Sequence, residues 1–83
     1  MSSYGYRLAC AKTAGLKLIR FRDFYGNYTA QLPADYRPQV ATFGQVYNFA
    51  DNYTSLVQID TSGNVTVKDN DASKMFSGFV IYT

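Results

Sequence analysis

Apolar residues alternate with polar ones in short runs along this chain. Turn-forming residues interrupt the runs, and no stretch sustains an apolar period of 3.6 residues. That is the pattern of β-strands. The first run, Tyr4 to Ala11, places Tyr4, Tyr6, Leu8 and Cys10 on one face and Arg7 on the other. The second, Leu16 to Tyr25, has Ile19 and Phe21 on one face and Leu18, Arg20 and Arg22 on the other. A loop over 12–15 pairs Ala11 with Leu16. Leu8 then faces Ile19 and Tyr6 faces Phe21, so the two apolar faces coincide in a hairpin. Gly26-Asn27 breaks the run, and Tyr28 to Leu32 reads as a short third strand.

Pro33 and Pro38 bracket the next segment, which is a connection because proline cannot donate to a ladder. Val40 to Phe49 is apolar but holds Gly44, which predicts a bent or bulged strand, or two strands. Ala50-Asp51-Asn52 reads as a turn. Over 53–69, pairing Ile59 with Val65 and Val57 with Val67 unites two apolar sets on one face. The loop Thr61-Ser62-Gly63 that remains ends on the residue best able to take a left-handed conformation. Residues 69–74 form a polar loop, and Ser77 to Thr83 is the last strand. Its Phe79 and Ile81 share one face, its Val80 and Tyr82 the other. A strand apolar on both sides needs cover on both, which predicts a neighbouring chain.

The chain has 83 residues, enough for one small domain spanning 1–83. A domain of this size buries only about 60% of its unfolded surface, so association would help to stabilise it. A net charge of +2 is too small for binding that rests on phosphate neutralisation, so no nucleic-acid partner is expected. No apolar run approaches the roughly 20 residues of a helical span, so no membrane insertion is expected. Met1-Ser2-Ser3-Tyr4 does not open like a secretory leader. With no His and a single cysteine, the usual zinc ligand sets and His-based catalysis are not expected. Cys10 lies on the apolar face and reads as a buried reduced thiol. Eight Tyr and six Phe bring flat apolar faces, many with a hydroxyl, suited to strands, interfaces and sugars.

The order of these elements resembles a known family. A Lys17–Phe24 strand and a short strand lead into Leu32-Pro33-Ala34-Asp35-Tyr36-Arg37-Pro38. The Val57–Val67 hairpin with its Gly63 turn and a closing Gly78-Phe79-Val80-Ile81-Tyr82 follow. This is similar to the C-terminal head, or tip, domain of bacteriophage tail fibres and receptor-binding proteins, over residues 16–83. The resemblance implies an all-β fold, a small antiparallel β-barrel or jelly-roll-like β-sandwich, assembled as a homotrimer at the virion's tail tip. It implies host cell-surface polysaccharide and other tail or baseplate proteins as partners. Residues 1–15 stand where family members usually carry a shaft or shoulder.

Two groups of residues are candidates for ligand binding. Tyr47, Asn48, Asp51, Asn52 and Tyr53 cluster around a turn, where Asp and Asn can take sugar hydroxyl pairs and Tyr can stack on a sugar face. Tyr36 and Arg37 offer a ring and a guanidinium between two prolines, although the same prolines could simply fix a turn. Arg20 and Arg22 share a strand face as a possible anion contact. Asp69-Asn70-Asp71 lacks the Gly and Glu of a calcium loop, so no metal and no cofactor is expected. Nothing pairs two of the Asp residues for glycoside hydrolysis, so the expected role is binding rather than catalysis. The alternative is a structural cap or trimerisation module of a fibre or baseplate, without receptor contact.

Overall fold

The fold comes from a computed structural model, which describes residues 7–26, 28–69, 71 and 73–83, and the backbone of 2–4. The described residues form eight strands. They are β1 (Ser2–Tyr4), β2 (Leu8–Thr13), β3 (Leu16–Tyr25), β4 (Thr29–Gln31), β5 (Thr42–Asn48), β6 (Tyr53–Ile59), β7 (Asn64–Val67) and β8 (Met75–Tyr82). One turn of 3-10 helix, Ala34–Tyr36, is the only helical element described, so no described helix is long and apolar enough to cross a membrane. Every pairing is antiparallel, and the spatial order is β1-β2-β3-β8-β5-β6-β7-β4 in a sheet curled into a half-barrel. The all-β antiparallel architecture expected from the alternation is the one that forms.

The core lies inside the curl. Strands β2, β3 and β8 turn Leu8, Cys10, Ile19, Phe21, Val80 and Tyr82 inward. From the opposite wall β5, β6 and β7 present Val46, Val57, Ile59, Val65 and Val67. Phe24, Phe76 and Leu32 complete the same cluster. Each fully buried Val, Ile or Phe contributes about 1.5–3 kcal/mol, so these positions outweigh any single surface contact.

The β6–β7 hairpin has the predicted register, Ile59 with Val65 and Val57 with Val67. Gly63 takes φ +87°. The Asp60 carboxylate accepts the backbone N–H groups of Ser62 and Asn64 (3.0 and 2.9 Å), which fixes the turn. Burial of Cys10 pushes its thiol pKa up, in keeping with an unreactive core thiol.

Three local expectations are corrected. The first run divides: β1 pairs with β2 through Tyr4 and Leu8, and the expected pairing of Tyr6 with Phe21 lies outside the described residues. In the β2–β3 hairpin Leu8 faces Phe21 and Cys10 faces Ile19, two residues away from the predicted register. Strand pairing continues to Thr13 with Leu16, and Ala14 and Gly15 alone make the turn, both at positive φ (48° and 80°). That two-residue geometry suits the twist of the strands, and a shift of two keeps every side chain on its predicted face.

Thirdly, β5 is one continuous strand, and Gly44 is not a bulge. A Cβ at Gly44 would stand 2.7 Å from Val80 Cγ2, so this glycine lets β5 and β8 approach. The bulge lies instead in β3, between Phe21 and Phe24, where Asp23 adopts φ +51°. Asp tolerates that conformation better than most residues. The bulge is tied down by Asp23 N–H donating to Ser77 Oγ (3.0 Å) and Arg7 Nη1 donating to the Asp23 carbonyl (2.8 Å).

Overpacking at the β5–β8 approach should be costly. Gly44→Ala is expected to destabilise the domain by about 1–3 kcal/mol, because the stiff Val80 side chain has nowhere to move. Urea denaturation with an unchanged slope would measure this, and an unaltered midpoint would refute the role given to Gly44.

Candidate functional site

At one end of the half-barrel, the exit of β5 and the entry to β8 enclose an open cleft of about 420 Å³. Asn48, Phe49, Ala50 and Asp51 form one wall. Ser73, Lys74, Met75 and Ser77 form the other, and the bulge residue Asp23 completes the rim.

The first wall is a four-residue turn joining β5 to β6. Asn48 is 2% exposed, and its Oδ1 accepts the backbone N–H of Asp51 (2.6 Å). Its carbonyl accepts the N–H of Asn52 (2.9 Å), and Asn52 closes the turn at φ +60°. The Asn48 amide Nδ2 makes no hydrogen bond among the described residues. Phe49 is 74% exposed, with its ring edge-on to Tyr47 (centroids 4.7 Å apart).

The second wall is held by its own short hydrogen bonds. Asp69 Oδ1 accepts the N–H of Asp71, and Asp71 Oδ1 accepts both the N–H and the hydroxyl of Ser73 (2.9 and 2.6 Å). The Ser73 donors hold the Asp71 carboxyl below its ordinary pKa. Gly26 N–H donates to the Lys74 carbonyl (2.7 Å), and a Cβ on Gly26 would lie 2.9 Å from the Asp71 carbonyl oxygen. Lys74 Nζ crosses to Asp51 Oδ2 at 2.6 Å, joining the two walls. The Asp51 carboxylate raises the Lys74 pKa through that contact and through its charge.

The sequence-predicted residues are distributed unevenly. Asn48 and Asp51 line the cleft, and Asn52 shapes the turn behind it. Tyr47 lies on the outer face, where its ring props Phe49. Tyr53 points inward instead, packing edge-on against Phe76 (5.7 Å) and donating its hydroxyl to Asp69 Oδ2 (2.8 Å). Burial and the hydrogen bond to Asp69 push its pKa up.

Tyr36 and Arg37 lie near the turn at the other end of β6, away from the cleft. Arg37 Nε donates to the Leu32 carbonyl (3.3 Å), and the Arg37 stem packs on Gly63. Tyr36 packs against the core, and its carbonyl accepts the Tyr82 hydroxyl. Burial keeps that Tyr82 hydroxyl protonated far beyond its usual range. The structure therefore ties this pair into the seal at that end of the core. Arg20 and Arg22 lie on the exposed outer face of β3.

Sequence reasoning did not select Phe49, Lys74, Met75, Ser77 or Asp23. Phe49 was legible as an aromatic beside an Asp–Asn turn. The others reach the cleft only through the β3–β8 and β5–β8 pairings, which no local turn specifies.

The lining mixes donors, acceptors and apolar surface. Asp23 and Asp51 accept, Lys74 and the Asn48 amide donate, and Ser77 can do both. Phe49, Ala50 and Met75 add apolar surface. Such a surface can meet both the polar and the apolar parts of a ligand.

No protein-family model matches the chain, and no curated protein sequence matches it. Among solved structures it is similar to the head domain of the lactococcal phage bIL170, a receptor-binding domain. The TM-score is 0.57 and the identity 19%, over 89% of this chain and 80% of that one. The chain has the fold of a phage receptor-binding head domain.

Below the ordinary carboxylate range, the second wall should loosen. The folded-state pKa of Asp71 is depressed, so its contribution is complete above the unfolded value. It is lost as pH falls through the lower folded value. Amide exchange at Ser73 is expected to accelerate, relative to core amides, in wild type as pH falls through the lowered folded-state value and in Asp71→Ala at neutral pH. Equal protection of Ser73 in that variant at neutral pH would contradict the assignment.

Proposed function

We propose that this domain is a phage receptor-binding head that adsorbs to a host surface by holding a saccharide in the cleft between β5 and β8. The observation that carries the reading is Phe49, an exposed ring beside Asn48 and Asp51 on a fold shared with a lactococcal phage head domain. A ring face and adjoining polar groups supply stacking and hydrogen bonds together. The reading is one of binding without bond cleavage, at the tail tip of a virion. A shallow open site gives weak affinity per copy, and several copies on one fibre raise it through effective concentration.

The number of copies is proposed as three. The outer face of β8 supports association: Phe79 is 62% and Ile81 53% exposed, and Ile81 pairs with Leu18 across from β8. A small domain with an apolar outer face gains stability by covering it. That same face favours a second reading, a structural cap that registers a fibre or baseplate. Deleting the domain from its particle separates the two: failed assembly supports the cap, and intact particles that do not adsorb support the receptor-binding head.

Phe49→Ala is expected to reduce retention on host envelopes by about tenfold or more. Its thermal midpoint should not fall, because the ring is exposed. Co-sedimentation with host cell walls measures this, and folded wild-type protein that stays in the supernatant would end the receptor reading. Light scattering should give three times the 9.3 kDa chain mass, and Ile81→Asp should shift it toward a single chain. A stable wild-type monomer would rule out the trimer while leaving the cleft to be tested separately.

A further inference from the structure

The charges around the cleft restrict what it can hold, given the receptor-binding reading on which this inference rests. Lys74 is the one cation among the described residues that line it, alongside two carboxylates, Asp23 and Asp51. Its ammonium is already engaged with Asp51 at 2.6 Å. Arg7 approaches the same bulge, but its Nη1 is directed at the Asp23 carbonyl, and its guanidinium lies over the Tyr25 ring at 4.8 Å. Lys12 and Lys17 lie over the rings of Tyr36 and Tyr82. Arg20 and Arg22 are on the outer face of β3. Arg7 Nη1 also reaches the sulfur of Met75 (3.7 Å), so Arg7 borders the cleft with its donors directed at a carbonyl and a thioether, while Lys12, Lys17, Arg20 and Arg22 are not among its lining residues.

Its hydrogen-bonding groups point the same way. Asn48 is buried and lines the cleft, and its amide Nδ2 is without a partner among the described residues. Asp51 has one oxygen on Lys74, and no described hydrogen bond takes the Asp23 carboxylate. Ser77 Oγ accepts the Asp23 N–H, which leaves its own hydrogen to donate. Donors and acceptors thus share the cleft with apolar surface from Phe49, Ala50 and Met75. A group that both donates and accepts suits such a set, and hydroxyls do so. A phosphate accepts only at its ionised oxygens. It would have to displace Asp51 from Lys74 and sit beside two carboxylates of its own sign.

We propose that the cleft takes a sugar unit without anionic substituents, gripped through its hydroxyl groups, and turns away phosphate-bearing units. Selectivity comes from the like-charge contact with Asp23 and Asp51 as much as from the hydrogen bonds. A host polymer carrying both kinds of unit would be read at its uncharged ones.

The test uses isotope-labelled whole chain and its amide signals. Galactose, glucose and N-acetylglucosamine are titrated at up to tens of millimolar, each beside its phosphorylated counterpart, with inorganic phosphate as a further probe. At least one uncharged sugar should shift the signals of Asn48, Asp51 and Ser77. Its phosphorylated form should bind about tenfold or more weakly, and inorganic phosphate should leave those signals in place. Asp23→Asn, which keeps a residue tolerant of the left-handed backbone, should weaken the uncharged sugar and narrow the gap between the pair.

Equal or tighter binding of the phosphorylated form would overturn the proposal, as would a cleft that no uncharged sugar perturbs. Retention on host envelopes separates the two readings. A domain that adsorbs while phosphate alone moves the cleft signals keeps its receptor role and loses this selectivity. A domain that binds uncharged sugar in the cleft yet never adsorbs keeps the selectivity and loses the receptor role.

Discussion

The close approach of two backbones, β5 and β8, governs this molecule. One register pair, Tyr47 with Ser77, links the strands, and the sheet folds over at that seam. Two glycines make it possible. Gly44 leaves room for the Val80 side chain, and Gly78, at φ +144°, lies with its missing side chain over Val46. A side chain at Gly44 would press on Val80 and push the walls apart, and one at Gly78 would strain a backbone conformation that L residues rarely adopt. The two apolar faces, one from β2, β3 and β8 and the other from β5, β6 and β7, would then no longer meet. The core exists because the seam is tight, and the cleft lies at the exit of β5 and the entry to β8, beside the Tyr47–Ser77 pair.

Magnitudes show how the work is divided. Val57, Ile59, Val65 and Val67 are fully buried, and each contributes about 1.5–3 kcal/mol. The Lys74–Asp51 pair is part-exposed on both sides, and pairs of that kind contribute about 0–1 kcal/mol. The ion pair therefore does not hold the fold together. Its importance is local, since it sets the distance between the walls and occupies the cation that an incoming anion would otherwise use.

What the sequence could convey depended on whether the cause was local. The β6–β7 hairpin was legible because two apolar sets of period two admit one register and Gly63 sits at the position needing positive φ. The β2–β3 register was misjudged by two residues because Ala14 takes φ +48°, which nothing about alanine advertises. Gly44 was visible as an exception, but its cause, the Val80 side chain, lies 36 positions away. The true bulge carries no glycine, since Asp23 adopts the left-handed conformation itself. The cleft divides in the same way: Asn48 and Asp51 were readable from turn chemistry, whereas Ser77, Lys74 and Asp23 arrive by tertiary pairing. Tyr53 satisfied the pattern of a binding residue and was claimed by the core through Phe76 and Asp69.

In the proposed reading, the groups offered to a ligand are also the groups that shape the loops. Asn48 fixes the turn with one end of its amide and leaves the other open. Asp51 donates its backbone N–H to that amide and holds Lys74 with its carboxylate, and Ser77 anchors the bulge while keeping a hydrogen to donate. A weak binder on a small domain cannot supply much ordering entropy at the moment of contact. Hydrogen bonds formed on folding order these side chains in advance, and a ligand then meets groups already in place. This also explains why a site in so small a chain sits where two strand ends converge and not at the tip of a long loop. At that place the bonds that complete the fold and the bonds proposed for a partner come from the same residues.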